Sequence, residues 1–228
     1  MASSHSLTSA TVEFPAEPVY RIARTNNILV GSKIREKDSR TQAGHRFDLL
    51  DSSVIYCATQ LEGSFAEVLS PFRRTPSARI QIDQSIDSGF MIHGGIPAAW
   101  REIRSIFLIG CVEPLPFLDL EDSGTLSFLD HELANVLSEI EVNSPLDISL
   151  IRGNNRRLTR AISTWTANQM DKDGEFLYSG IRYKSRLGDW ECWAIFDETE
   201  VKIMRTQEIK RSNPDLLAVA NLYQLTIH

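Results

Sequence analysis

Long apolar runs are missing from this chain of 228 residues. A stretch such as IFLIGCV, residues 106–112, falls far short of the roughly 20 apolar residues that a membrane-spanning helix requires, so no membrane partner is expected. Basic charge is also in short supply, with 24 Lys and Arg against 30 Asp and Glu, a formal net charge of −6. The field of the whole molecule repels polyanions, which argues against direct nucleic-acid binding but leaves room for a locally basic pocket that takes a small phosphate ligand. Cysteine numbers only three, and Cys57, Cys111 and Cys192 lie far apart, each in an apolar run. They predict buried thiols in a reducing compartment rather than a disulfide framework. The first residues, MASSHSLTSATVEF, lack the basic start and apolar centre of a secretory signal, and a cytoplasmic location is expected.

Several chemical signatures are absent as well. Five histidines, His5, His45, His93, His131 and His228, are dispersed, and none pairs with another histidine or a cysteine at ligand spacing, so no bound metal is expected. His131, between Asp130 and Glu132, fits the wet face of a helix. Gly94 and Gly95 in MIHGGIP lack both the Lys-Ser/Thr ending of a P-loop and the G-x-G-x-x-G spacing of a dinucleotide-binding turn, and predict a tight turn. No G-x-S-x-G elbow occurs, and Ser163 falls within helical periodicity as a hydroxyl bonded to the backbone.

What the chain does have is an apolar fraction of 42%, enough to fill one globular core. A Ser-, Thr- and Ala-rich tail over residues 1–16 is expected to precede one domain over residues 17–228. Strand patterns appear at PVYRIAR, SVIYCA, ARIQIDQ (residues 78–84), RSIFLIGCVEPL, LYSGIRYKS and ECWAIFD. Helical spacing appears at TQLEGSFAEVL, at AAWREI after Pro97, and through TLSFLDHELANVLSEI and RRLTRAISTWTANQM. It appears again in NPDLLAVANLYQL, where Asn213 suits the N-cap and Pro214 the first helical position. Thr59 followed by Glu62 predicts a capping box, and the polar residues 31–45 predict a mobile loop. Strands toward both chain ends with helices between them favour an α+β fold, a single mixed domain, over a doubly wound sheet.

Two segments set charges beside aromatics, which is unusual for a solvated face. In AGHRFDLLDSSVIYCATQLEGSFAEVL, residues 43–69, these are Arg46, Tyr56 and Glu67; the other segment is SGIRYKSR, residues 179–186. Tyr56 shares one side of its strand with Val54 and Ala58, at a strand-to-helix junction where free backbone N–H groups can face an anion. Gly63, one turn before Glu67, either leaves space for a ligand beside the carboxylate or lets the helix pack closely while Glu67 stays on the surface. On local physics the two readings are level.

The ordered set YRIAR, GHRFD, VIYCA followed by FAEVL, and SGIRYKSR followed by CWAIF resembles the RES domain family, the toxin component of many bacterial toxin–antitoxin pairs, over about residues 18–200. The resemblance implies a fold similar to the ADP-ribosyltransferase toxins and an enzyme that consumes NAD as substrate, without a further cofactor. Family members cleave the nicotinamide–ribose bond and pass ADP-ribose to water or phosphate; the alternative is transfer to a protein target. The matching positions imply catalytic roles for Glu67, Arg46 and Tyr56, and substrate contacts from Arg21, Arg46, Tyr56 and Ser185. Such a cleavage builds positive charge on the ribose, which the Glu67 carboxylate would stabilise. Arg46 and Arg21 would clamp the diphosphate through planar, paired donors. Tyr56 would stack on the nicotinamide or ribose, and Ser185 would donate a hydrogen bond to phosphate or ribose. No histidine partner for Ser185 is evident, which argues against acyl chemistry. The resemblance also implies a DNA-binding antitoxin as partner, and a homo-oligomer is compatible with the sequence.

Overall fold

The computed structural model describes residues 9–75 and 94–228. Ten strands run in chain order β1 (Thr11–Val12), β2 (Val19–Arg24), β3 (Val54–Ala58), β4 (Gly95–Ile96), β5 (Arg104–Cys111), β6 (Phe117–Asp119), β7 (Gly180–Lys184), β8 (Glu191–Phe196), β9 (Val201–Glu208) and β10 (Thr226–Ile227) among the described residues. Eight of them build one mixed sheet in the order β1-β6-β7-β8-β3-β2-β5-β9, while β10 and β4 form a small parallel pair. Every neighbouring pair in the large sheet is antiparallel except β6 with β7. The helices are α1 (Leu61–Leu69), α2 (Ala98–Glu102), α3 (Ser123–Glu132), α4 (Ala134–Glu139), α5 (Ile148–Arg152), α6 (Arg156–Ala167) and α7 (Pro214–Leu222). The chain is thus an α+β domain around one sheet. The strand pattern ARIQIDQ lies outside the described residues.

Side-chain alternation along the central strands decides what each face of the sheet carries. In β3, Val54 and Ala58 join one apolar cluster, with Tyr56 packed against it, while Ile55 and Cys57 join a cluster on the other face. Tyr20 of β2 lies opposite Ala58, so Tyr20 and Ile22 share the face of Tyr56. Two helical groups cover that face side by side. Leu126, Leu129, Leu158 and Ile162, from α3 and α6, pack on β3, β7 and β8. Phe65, Leu69, Trp100, Leu216 and Val219, from α1, α2 and α7, pack on Ile22 and Ile106. Leu158 and Ile162 are fully buried, and a side chain of that size contributes about 1.5–3 kcal/mol when removed from water.

Local signals account for much of this. The Asn213 side chain accepts from Leu216 N–H at 3.0 Å and Pro214 opens α7, as their types predict. Ser163 Oγ donates to the Arg160 carbonyl at 3.1 Å, the backbone bond expected of a helix hydroxyl. Gly94 is a bend with a φ of +90°, the left-handed backbone that favours glycine, while Gly95, expected in the same tight turn, opens strand β4 instead.

Elsewhere, packing overrides the local pattern. Thr59 does not cap α1: its Oγ1 donates to Glu191 at 2.7 Å and accepts from the Trp193 indole at 2.9 Å, and Gln60 stands at the N-cap without a side-chain bond. The long pattern TLSFLDHELANVLSEI breaks at Leu133 into α3 and α4, because Leu133 turns the chain while keeping its own side chain in the cluster of Leu129 and Leu137. Within the expected tail, β1 pairs with β6, and the Phe14 ring lies 5.3 Å from Phe117 and 5.2 Å from Trp193, so residues 9–16 have a seat on the sheet. The polar loop 31–45 is likewise tied down. The buried Arg160 guanidinium donates to the carbonyls of Ser39, of Ala43 at 2.9 Å and of Thr41 at 3.3 Å. β9 is the sheet edge; its mostly exposed, polar residues hide the strand from a pattern search.

Candidate active site

Where the two helical groups meet over β2 and β3, a cleft of about 690 Å³ opens, a size that suits a small-molecule ligand. Arg46, Tyr56, Glu67, Tyr183 and Cys192 line it, and Ser185 stands directly behind the glutamate.

Glu67 reaches the cleft from α1. That helix is seated by buried Phe65, Ala66 and Leu69 and by the Ser64 hydroxyl, which donates to the Tyr20 carbonyl at 2.7 Å. Gly63 does not leave room beside Glu67. A Cβ there would lie 2.8 Å from the Cβ of Trp190 and 3.3 Å from that of Ala58, so glycine lets α1 press against the β3–β8 layer. Of the two readings that the sequence left level, close packing holds for Gly63, while Glu67 itself lines the cleft.

Ser185 follows β7, is 1% exposed, and donates from Oγ to Glu67 Oε1 at 2.6 Å while accepting from Leu187 N–H at 3.0 Å. So short an O–H···O contact to a carboxylate belongs to the charge-assisted class. The sequence predicts a donor aimed at phosphate or ribose; the structure places that donor on the glutamate instead. Ser185 fixes one carboxylate oxygen, and among the described residues the other, Oε2, carries no hydrogen bond. Ser179 is elsewhere, with Oγ accepting from Leu115 N–H.

Tyr56 presents its ring to the cleft, but its hydroxyl is occupied. It donates to Asp48 Oδ1 at 2.9 Å and accepts from Phe47 N–H at 3.1 Å. Burial, with the Asp48 charge next in weight, raises its phenol pKa well above the ordinary value, so it stays protonated. Asp48, 1% exposed, also accepts from Ser32 Oγ and His45 N–H, and through these bonds it orders the turn that carries Arg46. Sequence reasoning missed this carboxylate; an acid set inside the apolar run RFDLL is the signal that could have found it.

Neither expected clamp has a free fork. Alternation along β2 sends Arg21 to the face of Val19 and Ala23, opposite Tyr20 and Ile22. There its three guanidinium nitrogens donate to the carbonyls of Ile28, Tyr56 and Val30 at 2.9–3.0 Å. Arg21 borders the cleft, yet it serves as a brace between β2, β3 and the following loop. Arg46, 7% exposed, donates to the carbonyls of Ile151 at 3.2 Å and Lys184 at 3.0 Å, and its cation lies 4.5 Å from the centre of the Tyr183 ring. Two of its five N–H donors are used in this way.

Six arginines line the cleft, Arg21, Arg24, Arg46, Arg104, Arg156 and Arg186, against one carboxylate, Glu67. A chain with net charge −6 therefore concentrates positive potential here, and low-dielectric walls focus such a field on small anions. Arg156 and Arg186 escaped the sequence reading because only the fold brings NNRRL and YKSRL together. Among the described residues no group of three His, Cys, Asp or Glu side chains is arranged to hold a metal, and no helix is long and apolar enough to cross a membrane.

A protein carrying one carboxylate with an open oxygen inside an arginine-lined cleft is suited to small anionic substrates that develop positive charge as they react. The family profile described as RES domain matches residues 18–214, and the chain belongs to that family. No curated protein matches it. Among solved structures, it is similar to a chain in the crystal structure of the M. tuberculosis MbcT–MbcA toxin–antitoxin complex, with 13% identity and a TM-score of 0.47 over 94% of this chain and 90% of that one.

Proposed function

We propose that this chain is an NAD-consuming toxin that breaks the bond between nicotinamide and ribose. The observation that carries the reading is Glu67, the one carboxylate among six lining arginines, held by Ser185 at one oxygen and open at the other. As the glycosidic bond breaks, its electron pair passes to the nicotinamide nitrogen, which becomes neutral, and the ribose becomes oxocarbenium-like. A carboxylate fixed beside that carbon stabilises the new charge without reorganising at the moment of reaction. Water or phosphate then bonds to the ribose carbon, and a water acceptor releases its proton. The Tyr56 ring offers a face for stacking, and the arginines attract the diphosphate. NAD is the substrate, and no further cofactor enters. Family membership extends the proposal to a DNA-binding antitoxin that holds the protein inactive.

The test is to incubate purified protein with NAD, with and without phosphate, and to identify the products. Nicotinamide with ADP-ribose, or with its 1''-phosphate, is the expected result, and Glu67→Gln should lower the rate by about 10²–10³-fold, the loss typical of one electrostatic contact to a transition state. Full turnover by a folded Glu67→Gln variant would remove Glu67 from the mechanism. Label transferred from NAD to a protein band in extract would replace cleavage with ADP-ribosylation of a target.

A further inference from the structure

The two arginines that sequence reading missed have a different character from Arg21 and Arg46. Arg156 is the first residue of α6, but the helix end is already served. Its own N–H donates to Gln42 Oε1 at 2.6 Å, and Asn155 Oδ1 accepts from Leu158 N–H at 3.1 Å. The side chain differs: Arg156 Nη1 is buried and has no hydrogen-bond partner, a costly state for a guanidinium donor. Arg186 comes from the turn after β7, is exposed, and is steadied by one bond from Nη1 to Asn154 Oδ1 at 2.5 Å. Burial, and then the repulsion of Arg186 and Arg46, lowers the pKa of Arg156, while Tyr56 and Glu67 act in the opposite direction; all five groups therefore lie within electrostatic reach of one another. Among the described residues no Asp or Glu forms an ion pair with Arg46, Arg156 or Arg186, although Arg152 and Arg182 close by are both paired. Like charges that line one cleft, one of them with an unmatched buried donor, gain most from an anion that bridges them.

We propose that Arg156 and Arg186 together bind a phosphate group beside Glu67. This deepens the function proposed above and rests on it for the source of that group, which is either the diphosphate of the dinucleotide or free orthophosphate acting as ribosyl acceptor. The assignment moves anion binding from Arg21, whose fork is closed by carbonyls, to a pair contributed by α6 and the turn after β7. Both sources share the same chemistry, planar guanidinium donors on phosphate oxygens.

Calorimetric titration of the full chain with ADP-ribose and, separately, with orthophosphate tests the pair, using Arg156→Gln, Arg186→Gln and, as a charge-matched control, Lys202→Gln on the exposed β9. A charge-assisted bond lost from either arginine should weaken binding by about ten- to a hundredfold, while Lys202→Gln leaves it unchanged. Loss confined to ADP-ribose assigns the diphosphate; loss confined to orthophosphate, with loss of any phosphate dependence of nicotinamide release, assigns the acceptor. Arg186 is exposed, so its variant keeps the test decisive if Arg156→Gln fails to fold. Wild-type affinity for both ligands in the folded arginine variants, or no binding by the wild type, overturns the proposal. Nicotinamide release measured on the same samples separates the two readings. Turnover that survives both substitutions refutes the anion pair alone, and a wild type that binds phosphate through the pair but releases no nicotinamide refutes the cleavage reading alone.

Discussion

Ser185→Ala separates two roles that one hydroxyl could play. If Ser185 touches substrate, its loss weakens binding and raises KM. The structure instead aims the Ser185 Oγ at Glu67 Oε1, 2.6 Å away, while the Leu187 N–H donates to that serine Oγ. A hydrogen bond to an ionised group is worth about 1.5–3 kcal/mol, and each 1.4 kcal/mol is a factor of ten in rate. Losing the bond that orients the carboxylate should therefore lower kcat for nicotinamide release by about ten- to a hundredfold and leave KM nearly unchanged. The variant also removes the acceptor of the Leu187 N–H, a penalty of about 1–2 kcal/mol and a drop of several degrees in Tm for a domain of this size. Steady-state kinetics across NAD concentrations, with a melting curve on the same sample, reads both quantities. A raised KM with wild-type kcat would refute the positioning role, and so would wild-type values of both.

Two further outcomes concern the frame of the site. Gly63→Ala places a methyl 2.8 Å from the Trp190 Cβ and should cost about 1–3 kcal/mol in urea unfolding; an unchanged midpoint would show that α1 does not pack as closely as described. Burial raises the pKa values of the Cys57 and Cys192 thiols and of the Tyr56 and Tyr183 phenols, so the folded chain keeps protons that the unfolded chain loses from about pH 9 for thiols and 10 for phenols. Stability that these groups supply is complete below pH 9 and declines above it, by up to about 1.4 kcal/mol per pH unit for each group, and a urea midpoint that stays flat from pH 9 to 11 would contradict their burial.

The residues that sequence reading located correctly are those whose signals are local. Asn213 and Pro214 mark the start of α7 through neighbours a few residues away, and the alternation of VIYCA places Tyr56 on the face of Val54 and Ala58 without reference to the rest of the chain. Capping by Thr59 failed because a distant strand competes for its hydroxyl, through Glu191 and Trp193. Arg46, Tyr56, Glu67 and Ser185 do gather at one place, yet the partner of each polar group could not be read in advance. Whether an arginine faces a ligand or a carbonyl depends on how an irregular loop such as 28–30 folds back and on Ile151, 105 positions from Arg46. Arg156 and Arg186 were invisible for the same reason, since only the fold brings their two segments to one cleft, whereas Asp48 had a local signal that went unread.

The bond between Ser185 and Glu67 joins residues 118 positions apart, and the Arg46 bond to the Lys184 carbonyl spans 138. Strand β8, which flanks β3 in the sheet, also comes from the last quarter of the chain. At a translation rate of about 5–20 residues per second, roughly 6 to 24 seconds separate synthesis of the glutamate from synthesis of the serine that orients it. The residues before Gly180 lack β7 and β8, the two strands that join β6 to β3, and the serine that stands behind the carboxylate. Any activity of this site is thus postponed by topology until the residues through β8 have been made, and chains that end before Ser185 are expected to be inert.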